Sequence, residues 1–411
     1  METTIDPDIE NLPYYHYHVP RVFVDTLLER NGDFILHEIW QQDTPYTISV
    51  RWGSYVKAYP VFETAQKNFK LSDVCPSFDK VSDLVDYYVE TGEQLVDSTS
   101  ARLIRPILVQ PWEVIGRATE KTMNDSRQLG KGVFSAIHEI ALRRARMDNF
   151  EISGAKVIGN WAKADSSRRD HFRTLLFNEA KAMSDLVGHP NIVGFRGIFV
   201  DTEFPVCIVD VIEGVNYRKD LRSPNGNRSH DQCMRGMLLA AMDAASAVAF
   251  MHEKGYVHRC LGTRKFMIRY SRVGQRSSLV LVGLRTARYI GNELVYKSFS
   301  CSTYMPVRWS APEALMKAIW LQKSDVWSLG VLLWEIFTQG SVPYKNVGAA
   351  SRPELFYYLK EGHRLEVPVH VPSNVAEVMR SCWNMDCTAR PTAFDIVKVV
   401  AESVNEYSCT H

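Results

Sequence analysis

The amino-acid sequence predicts an α+β fold made of two successive modules. The chain has 411 residues, which is enough for two to three domains. Its hydrophobic fraction of 45% and its charged fraction of 23% are ordinary for a globular protein. Strand-like and helix-like stretches alternate in the first part of the chain. In the remainder, strand-like stretches come first, and long amphipathic helices follow from about Met234 onward. A small α+β module followed by a larger one accounts for this order.

The balance of charge and the spacing of the cysteines exclude several classes of protein. Lysine and arginine number 48 against 47 acidic residues, so no nucleic acid and no acidic membrane is an expected partner. The eight cysteines are scattered without a Cys-x-x-Cys pair, which predicts reduced thiols and no structural metal. Because we find neither a secretory signal at Met1–Asn11 nor a long uncharged apolar run, we expect a cytoplasmic protein with no transmembrane segment. Peripheral attachment at the inner face of the plasma membrane is the alternative.

The first module shows helix and strand patterns in turn. A helix-like stretch, Arg21–Glu29, precedes a strand-like stretch, Asp33–Ile39. In Tyr46–Trp52, apolar and polar side chains alternate, which is typical of a half-buried strand. A second helix is predicted for Val81–Thr91. The order of helix, antiparallel strands and helix completes the module.

The segment Gly-Asp-Phe-Ile-Leu-His-Glu at residues 32–38 resembles the start of a Src-homology-2 (SH2) domain. That family usually reads Gly-x-Phe-Leu-Val-Arg-Glu at this point. Further matching segments follow, so we assign residues 14–104 to an SH2-like domain and residues 105–124 to a linker. The resemblance implies phosphotyrosine proteins as partners, because the arginine of this segment binds phosphate through two parallel hydrogen bonds.

His37 occupies the position of that arginine. A neutral imidazole offers one donor, and even a protonated ring cannot bind two oxygens in parallel. Arg21 and Lys57 remain as candidate partial ligands of the phosphate, and Arg51 lies on a predicted strand face from which it could add charge. Two interpretations stay open: weak or pH-dependent phosphotyrosine binding, and a docking module that no longer reads phosphate.

A glycine pair opens the second module. Gly130 and Gly132 lie in the segment Leu-Gly-Lys-Gly-Val-Phe-Ser, and such glycines let the backbone approach phosphate closely. Downstream, a predicted helix carries Glu179 on its apolar stripe, where a carboxylate needs a cationic partner. Lys156, at the end of a strand-like stretch, is the natural candidate. Ser167 is predicted to cap the helix within a capping-box-like Ser-x-x-Asp segment.

Motifs in the C-terminal half agree in order and spacing. They are His-Arg-Cys-Leu-Gly-Thr-Arg-Lys at 258–265, Trp-Ser-Ala-Pro-Glu at 309–313, Ser-Asp-Val-Trp-Ser-Leu-Gly at 324–330, Cys-Trp at 382–383 and Arg-Pro-Thr at 390–392. With the SH2-like domain, they resemble a non-receptor tyrosine kinase of the Fes/Fer type. The resemblance implies a two-lobed kinase-like domain at 125–402, with an N-lobe at 125–210 and a C-lobe at 217–402. It also implies nucleotide contacts by Gly130, Gly132, Phe134, Ile137, Lys156 and Glu179.

Three positions that carry catalysis in this family hold other residues here. Protein kinases use a catalytic-loop Asp to accept the substrate proton, and an Asn and a second Asp to hold magnesium. The aligned residues are Cys260, Lys265 and Gly283. From residue 255 to residue 324 the only carboxylates are Glu293 and Glu313, and neither occupies a magnesium-binding position.

These departures from the family predict a catalytically impaired pseudokinase that acts as a scaffold or as an allosteric regulator. The expected partners are signalling proteins, including phosphotyrosine proteins or an active kinase. ATP could still bind without magnesium, because residues 258–308 contain ten lysines and arginines against one acid. The alternative is an active ATP-dependent non-receptor protein tyrosine kinase.

The resemblance also implies structural roles for residues that the chain retains. His258 and Asp325 brace the backbone of the catalytic loop in this family, and Glu313 is expected to pair with Arg390. None of these roles depends on catalysis, so each can survive its loss.

Two further positions concern regulation and the adenine site. Tyr296 stands where such kinases carry a regulatory tyrosine, and Arg259 is the expected partner of its phosphate. An ordinary exposed loop tyrosine is the alternative. Asp210 aligns with the residue that precedes the hinge and closes the adenine site, where a carboxylate would disfavour packing.

Overall fold

The structure is a computed structural model of the chain. It describes residues 7–10, 12–16, 19, 24–25, 27–38, 46–95, 100–109, 113–114, 126–131, 135–143, 150–158, 165–199, 206–223, 230–270, 277–291, 295–297, 306–347 and 351–410. The chain forms two compact units, which are Met1–Ala180 with Arg196–Val209, and Lys181–Phe195 with Asp210–His411. The predicted N-lobe therefore divides, because residues 181–195 belong to the second unit.

The SH2-like part of the first unit contains a sheet flanked by helical segments. Its described elements are α1 (Pro7–Glu10), β1 (Asp33–His37), β2 (Tyr46–Trp52), β3 (Tyr55–Glu63), β4 (Phe69–Lys70), α2 (Val81–Thr91) and β5 (Arg105–Pro106), with the strand order β4-β3-β2-β1-β5. The predicted bounds of β2 and α2 are confirmed. Strand β1 ends at His37, whereas Ile39 lies outside the described residues. Of the predicted helix before β1, Val24, Asp25 and Leu27 are helical.

Helix α2 buries one face and ends at a glycine. Its buried residues are Val81, Leu84, Val85 and Tyr88, which recur at the spacing of one helical face. Gly92 follows with a φ of 62°, the left-handed conformation that glycine adopts without a Cβ penalty. The apolar stripe of the sequence thus becomes the packing surface of the helix.

The start of the predicted linker is part of the first sheet. Strand β5 pairs in parallel with β1, so that Asp33 lies opposite Arg105. The carboxylate of Asp33 accepts hydrogen bonds from Arg105 Nε and Nη2 at 2.7 Å and from the amides of Glu29 and Arg30. Burial alone would raise the pKa of Asp33, but these hydrogen bonds hold it below its ordinary value.

Asp33→Asn is expected to lower the free energy of unfolding by about 1–3 kcal/mol, because a buried carboxylate with four hydrogen bonds is lost. Urea unfolding followed by circular dichroism measures the change. The control is Asp73→Asn, whose side chain is 96% exposed and forms an ion pair with Lys70, three residues earlier. An unchanged midpoint for the Asp33 variant would contradict the proposed weight of this contact.

The kinase-like part of the first unit is built on a second sheet. The described strands are β6 (Glu113–Val114), β7 (Gln128–Lys131), β8 (Ser135–Arg143), β9 (Phe150–Ile158), β10 (Phe195–Phe199) and β11 (Val206–Val209), in the order β6-β10-β11-β9-β8-β7. Helix α3 (Ser166–Asp185) follows β9. The prediction that Ser167 caps this helix is wrong, because Asp165 accepts the amide of Arg168 at 2.8 Å and Ser167 already lies within the helix.

The second unit is mainly helical. Its described elements are β12 (Gly214–Asn216), α4 (Tyr217–Leu221), α5 (His230–Glu253), β13 (Tyr256–Val257), β14 (Phe266–Arg269), β15 (Ser278–Leu281), β16 (Arg288–Tyr289), β17 (Tyr296–Lys297), α6 (Pro312–Lys317), β18 (Ile319–Trp320), α7 (Gln322–Phe337), α8 (Arg352–Lys360), α9 (Ser373–Cys382) and α10 (Ala393–Thr410). Within α5, Met234–Glu253 is long and apolar enough to cross a membrane, but 61% of its most apolar window is buried in the protein. Helix α7 is buried along most of its length, so α5 and α7 form the core of this unit.

Candidate nucleotide and phosphotyrosine sites

His37 lies at the end of β1 and is buried, with 2% of its surface exposed. Its Nε2 is 2.8 Å from the hydroxyl of Ser49, and its Nδ1 is 3.1 Å from the carbonyl of Glu38. A neutral ring satisfies both contacts when Nδ1 donates to the carbonyl and Nε2 accepts from the hydroxyl. The imidazole is therefore already fully hydrogen-bonded within the sheet.

The register of the sheet separates Lys57 from His37. His37 lies opposite Thr47, which in turn lies opposite Pro60, and residues directly opposite each other share a face. Lys57 lies opposite Val50 and belongs to the other face. The prediction that Lys57 and His37 line one phosphate pocket is thus wrong.

On the face that carries His37, strand β3 presents Val56, Ala58 and Pro60. Arg51 lies on this face as well, but its guanidinium donates to the carbonyls of Leu28 and Asp25. Through these bonds Arg51 holds residues 25–28, which precede β1, so its guanidinium is already engaged within the protein. Arg21 lies outside the described residues.

Three predicted site residues and one that the sequence did not predict lie in one row across the second sheet. Gly130 is opposite Ile137, Ile137 is opposite Lys156, and Lys156 is opposite Cys207. Gly132 and Phe134 lie outside the described residues. Cys207 was not predicted, because nothing in the sequence marks the strand that lies next to Lys156. Burial raises the pKa of its thiol, which keeps it neutral beside the lysine.

Lys156 and Glu179 form the expected ion pair. Lys156 Nζ is 2.5 Å from Glu179 Oε1, and the two side chains are 12% and 1% exposed. Glu179 lies on the buried stripe of α3 with Leu176 and Met183. This pair matches the arrangement that kinases use to hold a lysine toward nucleotide phosphates.

Asp210 does not lie where the sequence placed it. Strand β11 ends at Val209, which lies opposite Gly154, and its Cγ2 methyl group is on the side of Gly154 that also carries Lys156. The Asp210 carboxylate instead covers Gly194, where an added Cβ would overlap it. Val209 rather than Asp210 is therefore the residue at the end of β11 that shares the face of Lys156.

The catalytic-loop frame of the second unit is held by one buried carboxylate. Asp325, at the start of α7, accepts the amide of His258 at 2.5 Å and the amide of Arg259 at 2.9 Å. Arg259 has a φ of 68°, so the bracing holds a conformation that non-glycine residues rarely adopt. His258 Nδ1 accepts the amide of Cys260 at 3.2 Å. Burial and the nearby charge of Lys265 lower the pKa of His258 to about 3, which keeps its ring neutral.

A second buried carboxylate holds the other end of the loop. Glu335 accepts the amide and the hydroxyl of Thr263, each at 2.9 Å, and the indole of Trp309 at 2.7 Å. Arg264 stacks on that indole at 4.6 Å and points one nitrogen at Cys260 Sγ, 3.7 Å away. Sequence reasoning did not find Glu335, although a glutamate inside a hydrophobic helix is a signal for a buried anchor.

Lys265 and Gly283 lie against each other. A Cβ built on Gly283 would be 2.8 Å from Lys265 Cδ and 3.3 Å from Lys265 Nζ. The backbone of Lys265 is fixed by hydrogen bonds to Gly262 and from Val282, both of 2.9 Å. The lysine stem therefore uses space that a side chain at position 283 would need.

The family's magnesium does not fit these residues. Magnesium prefers oxygen ligands, and the aligned positions offer a thiol, an ammonium and no side chain at all. Among the described residues, no group of three or more His, Cys, Asp or Glu side chains could hold a metal ion. Asp325 and Glu335, the carboxylates of α7 that hold the loop, accept their hydrogen bonds from the protein itself.

Tyr296 packs on Arg259 through its ring. The Arg259 guanidinium lies 4.5 Å from the centre of the Tyr296 ring and 5.0 Å from that of Trp320, and its Nε donates to the carbonyl of Thr286. Tyr296 pairs with Trp320 between β17 and β18. Burial, and then the charge of Arg288, lower the pKa of Arg259 to about 10. Arg259 is thus near Tyr296, but it faces the aromatic ring in this arrangement.

Comparison with known proteins identifies the class. Residues 14–88 match the SH2 domain family, and residues 123–400 match the family described as protein tyrosine and serine/threonine kinase. The chain therefore belongs to the protein kinase family and carries an SH2 domain before its kinase domain. Both resemblances seen in the sequence are confirmed.

Individual relatives are tyrosine kinases. The chain is 26% identical over 379 residues to the tyrosine-protein kinase transforming protein Fps of avian sarcoma virus (strain PRCII), covering 92% of this chain and 65% of the viral protein. It is 25% identical over 386 residues to human tyrosine-protein kinase Fer, covering 94% of this chain and 43% of Fer. Tyrosine-protein kinase receptor old-1 of Caenorhabditis elegans is 28% identical over 305 residues, covering 69% of this chain and 59% of the receptor. The chain thus spans less than two thirds of the length of each of these relatives.

Proposed function

We propose that this chain is a catalytically impaired tyrosine-kinase-family protein that acts as a signalling scaffold or as an allosteric regulator of an active kinase. The observation that carries the proposal is the triple replacement at Cys260, Lys265 and Gly283. A lost general base costs roughly 10²–10⁴ in rate, and lost metal electrostatics lowers the rate further. Asp325 and Glu335 cannot take over these roles without releasing the loop that they hold.

The second candidate function is an active ATP-dependent non-receptor protein tyrosine kinase. It is supported by the intact Lys156–Glu179 pair and by the names of the relatives. The thiol of Cys260 could accept a proton as a thiolate, but it would not replace the missing metal ligands.

A transfer assay with radiolabelled ATP and the full chain distinguishes the two functions. We expect no more tyrosine phosphorylation from the wild-type chain than from Lys156→Ala. Positioning of the nucleotide by Lys156 does not accelerate phosphoryl transfer when the general base and the ligands of the metal ion are absent. An active tyrosine kinase serves as the positive control, and melting temperatures show that the variant is folded. Phosphorylation that depends on Lys156 would establish the enzyme and overturn the pseudokinase proposal.

For the SH2 domain, we propose a docking role toward signalling proteins, phosphotyrosine proteins included, that does not depend on a bidentate phosphate contact. The fully bonded His37 and the uncharged β3 residues on its face support this role. A cytoplasmic location suits such a protein, and peripheral attachment at the inner face of the plasma membrane is the alternative location.

A further inference from the structure

Arg259 carries a charge in a buried part of the second unit, where 7% of its surface is exposed. Burial, and then the charge of Arg288, lower the pKa of Arg259 to about 10, so the guanidinium stays charged at neutral pH. A buried charge is costly unless other groups compensate for it. The described residues from 255 to 297 contain no carboxylate, and Asp325 accepts the amides of His258 and Arg259. Other groups of this unit must therefore stabilise the guanidinium.

Two aromatic rings and one carbonyl face the guanidinium of Arg259. It lies 4.5 Å from the centre of the Tyr296 ring and 5.0 Å from that of Trp320, and its Nε donates to the carbonyl of Thr286 at 2.7 Å. Both ring distances are within the range of a cation–π interaction, which is strongest where the cation is removed from water. We call Tyr296 and Trp320 the aromatic cage. Its ring faces supply the attraction that an anion would otherwise provide.

The aromatic cage also joins two strands to the core of the unit. Tyr296 pairs with Trp320 between β17 and β18, and the two ring centres are 6.1 Å apart. Trp320 belongs to a hydrophobic cluster whose other buried members are Val257, Ile290 and Ala314. Tyr296 packs against this cluster. The contact of Arg259 with the cage therefore connects β17 to the core and to the catalytic-loop frame.

The cage stands where other kinases use a phosphate. Kinases that are switched by phosphorylation order this part of the chain through a new contact between an arginine and the added phosphate. We propose that the aromatic cage is a phosphate-independent anchor, which holds Arg259 and keeps β17 in place while Tyr296 is unphosphorylated. Tyr296 then acts as a positioning residue through its ring and not through its hydroxyl. This inference concerns the conformation of the chain, so it does not depend on the proposed loss of catalysis.

Hydrogen exchange of the full, unphosphorylated chain tests the proposal, measured by mass spectrometry in peptides that contain β17 and β18. The wild-type chain and Tyr296→Phe, which keeps the ring, should exchange equally slowly. Tyr296→Leu keeps an apolar side chain but removes the ring, so exchange should be about two- to thirtyfold faster. Tyr270→Leu, which removes a half-exposed tyrosine outside the cage, is the matched control and should not change exchange in these peptides.

A double-variant cycle assigns the effect to the contact between Arg259 and the cage. Arg259→Met should also accelerate exchange in these peptides. The double variant with Tyr296→Leu should add little to either single change, because both changes remove the same contact. Additive effects would show that Tyr296 acts by packing alone and would overturn the inference. If Arg259→Met does not fold, the comparison of Tyr296→Phe with Tyr296→Leu decides.

Phosphorylation of the chain by an added active tyrosine kinase provides the opposing test. The anchor predicts that the β17 and β18 peptides are protected before any phosphate is added. Fast exchange in the wild-type chain and in Tyr296→Phe, which becomes slow only when Tyr296 of the wild-type chain is phosphorylated, would overturn the inference. Arg259 would then need a phosphate to hold β17. Phosphorylation that depends on Lys156 in the transfer assay is a separate result, which would remove the proposed function and leave the anchor intact.

Discussion

Replacing Arg390 with methionine is expected to lower the free energy of unfolding by about 3–5 kcal/mol. The side chain of Arg390 is fully buried and donates to both oxygens of Glu313, at 2.8 and 3.0 Å. It also donates to the carbonyls of Asn384 and Lys323, at 2.9 and 2.8 Å. Removal of the guanidinium leaves a buried carboxylate without its counter-ion and two carbonyls without donors, which is costlier than a simple cavity.

Two further variants separate the ion pair from general damage. Arg390→Met combined with Glu313→Leu should be more stable than Arg390→Met alone, because no unpaired charge is then buried. Arg380→Met removes an exposed arginine from helix α9 and should change stability by less than about 0.5 kcal/mol. Urea unfolding of the four proteins measures these values. Equal losses in the single and double variants would show that packing, not charge, dominates at this site.

The same pair predicts a dependence of stability on pH. Burial would raise the pKa of Glu313, but the hydrogen bonds and charge of Arg390 hold it below its ordinary value. A carboxyl group whose pKa is lower in the folded state stabilises the protein above its unfolded pKa of about 4.3. That contribution is lost as the pH falls through the pKa of Glu313 in the folded protein. The double variant Arg390→Met with Glu313→Leu lacks this carboxyl group, so it should lose less stability in acid than the wild-type chain.

Local patterns in the sequence predicted the parts of the fold that depend on near neighbours. The period-two alternation of Tyr46–Trp52 and the apolar stripe of Val81–Thr91 each define an element and its bounds. The ion pair of Lys156 with Glu179 was predictable for a similar reason, because a carboxylate on a buried stripe requires a cation. Side-chain periodicity and the cost of burying charge were sufficient for these features.

The features that sequence reasoning missed depend on pairing between distant segments. Lys57 lies two strands away from His37, and a shift of one residue in the pairing moves a side chain to the opposite face. Arg105 belongs to the first sheet because it reaches Asp33, which is 72 positions earlier. Only the order of the strands places Cys207 opposite Lys156 and Val209 on the same face of the sheet, opposite Gly154. Asp210 was misplaced by one residue for the same reason, since the end of β11 is not marked in the sequence.

His37→Arg is expected to strengthen phosphotyrosine binding by about 2–5 kcal/mol, which is roughly thirtyfold to several thousandfold in affinity. Arginine would replace a ring that is already fully bonded to Ser49 and Glu38 with a fork that can bind two phosphate oxygens in parallel. The opposite residue, Thr47, has a buried hydroxyl with no hydrogen-bond partner among the residues that the structure describes, so the replacement also offers that oxygen a donor.

Fluorescence anisotropy with a degenerate pool of phosphotyrosine peptides, and the same pool without phosphate, measures the gain. Lys57→Ala is the matched control: because Lys57 lies on the other face of the sheet, its removal should leave phosphopeptide affinity unchanged in both the wild-type and the His37→Arg backgrounds. Phosphate-dependent binding by the wild-type chain that disappears in Lys57→Ala would contradict this face assignment. If His37→Arg binds phosphopeptides more tightly and Lys57→Ala does not change that affinity, then the imidazole at position 37 accounts for weak phosphotyrosine binding by the wild-type chain. The register of the sheet then determines which cationic side chains can compensate for the missing arginine.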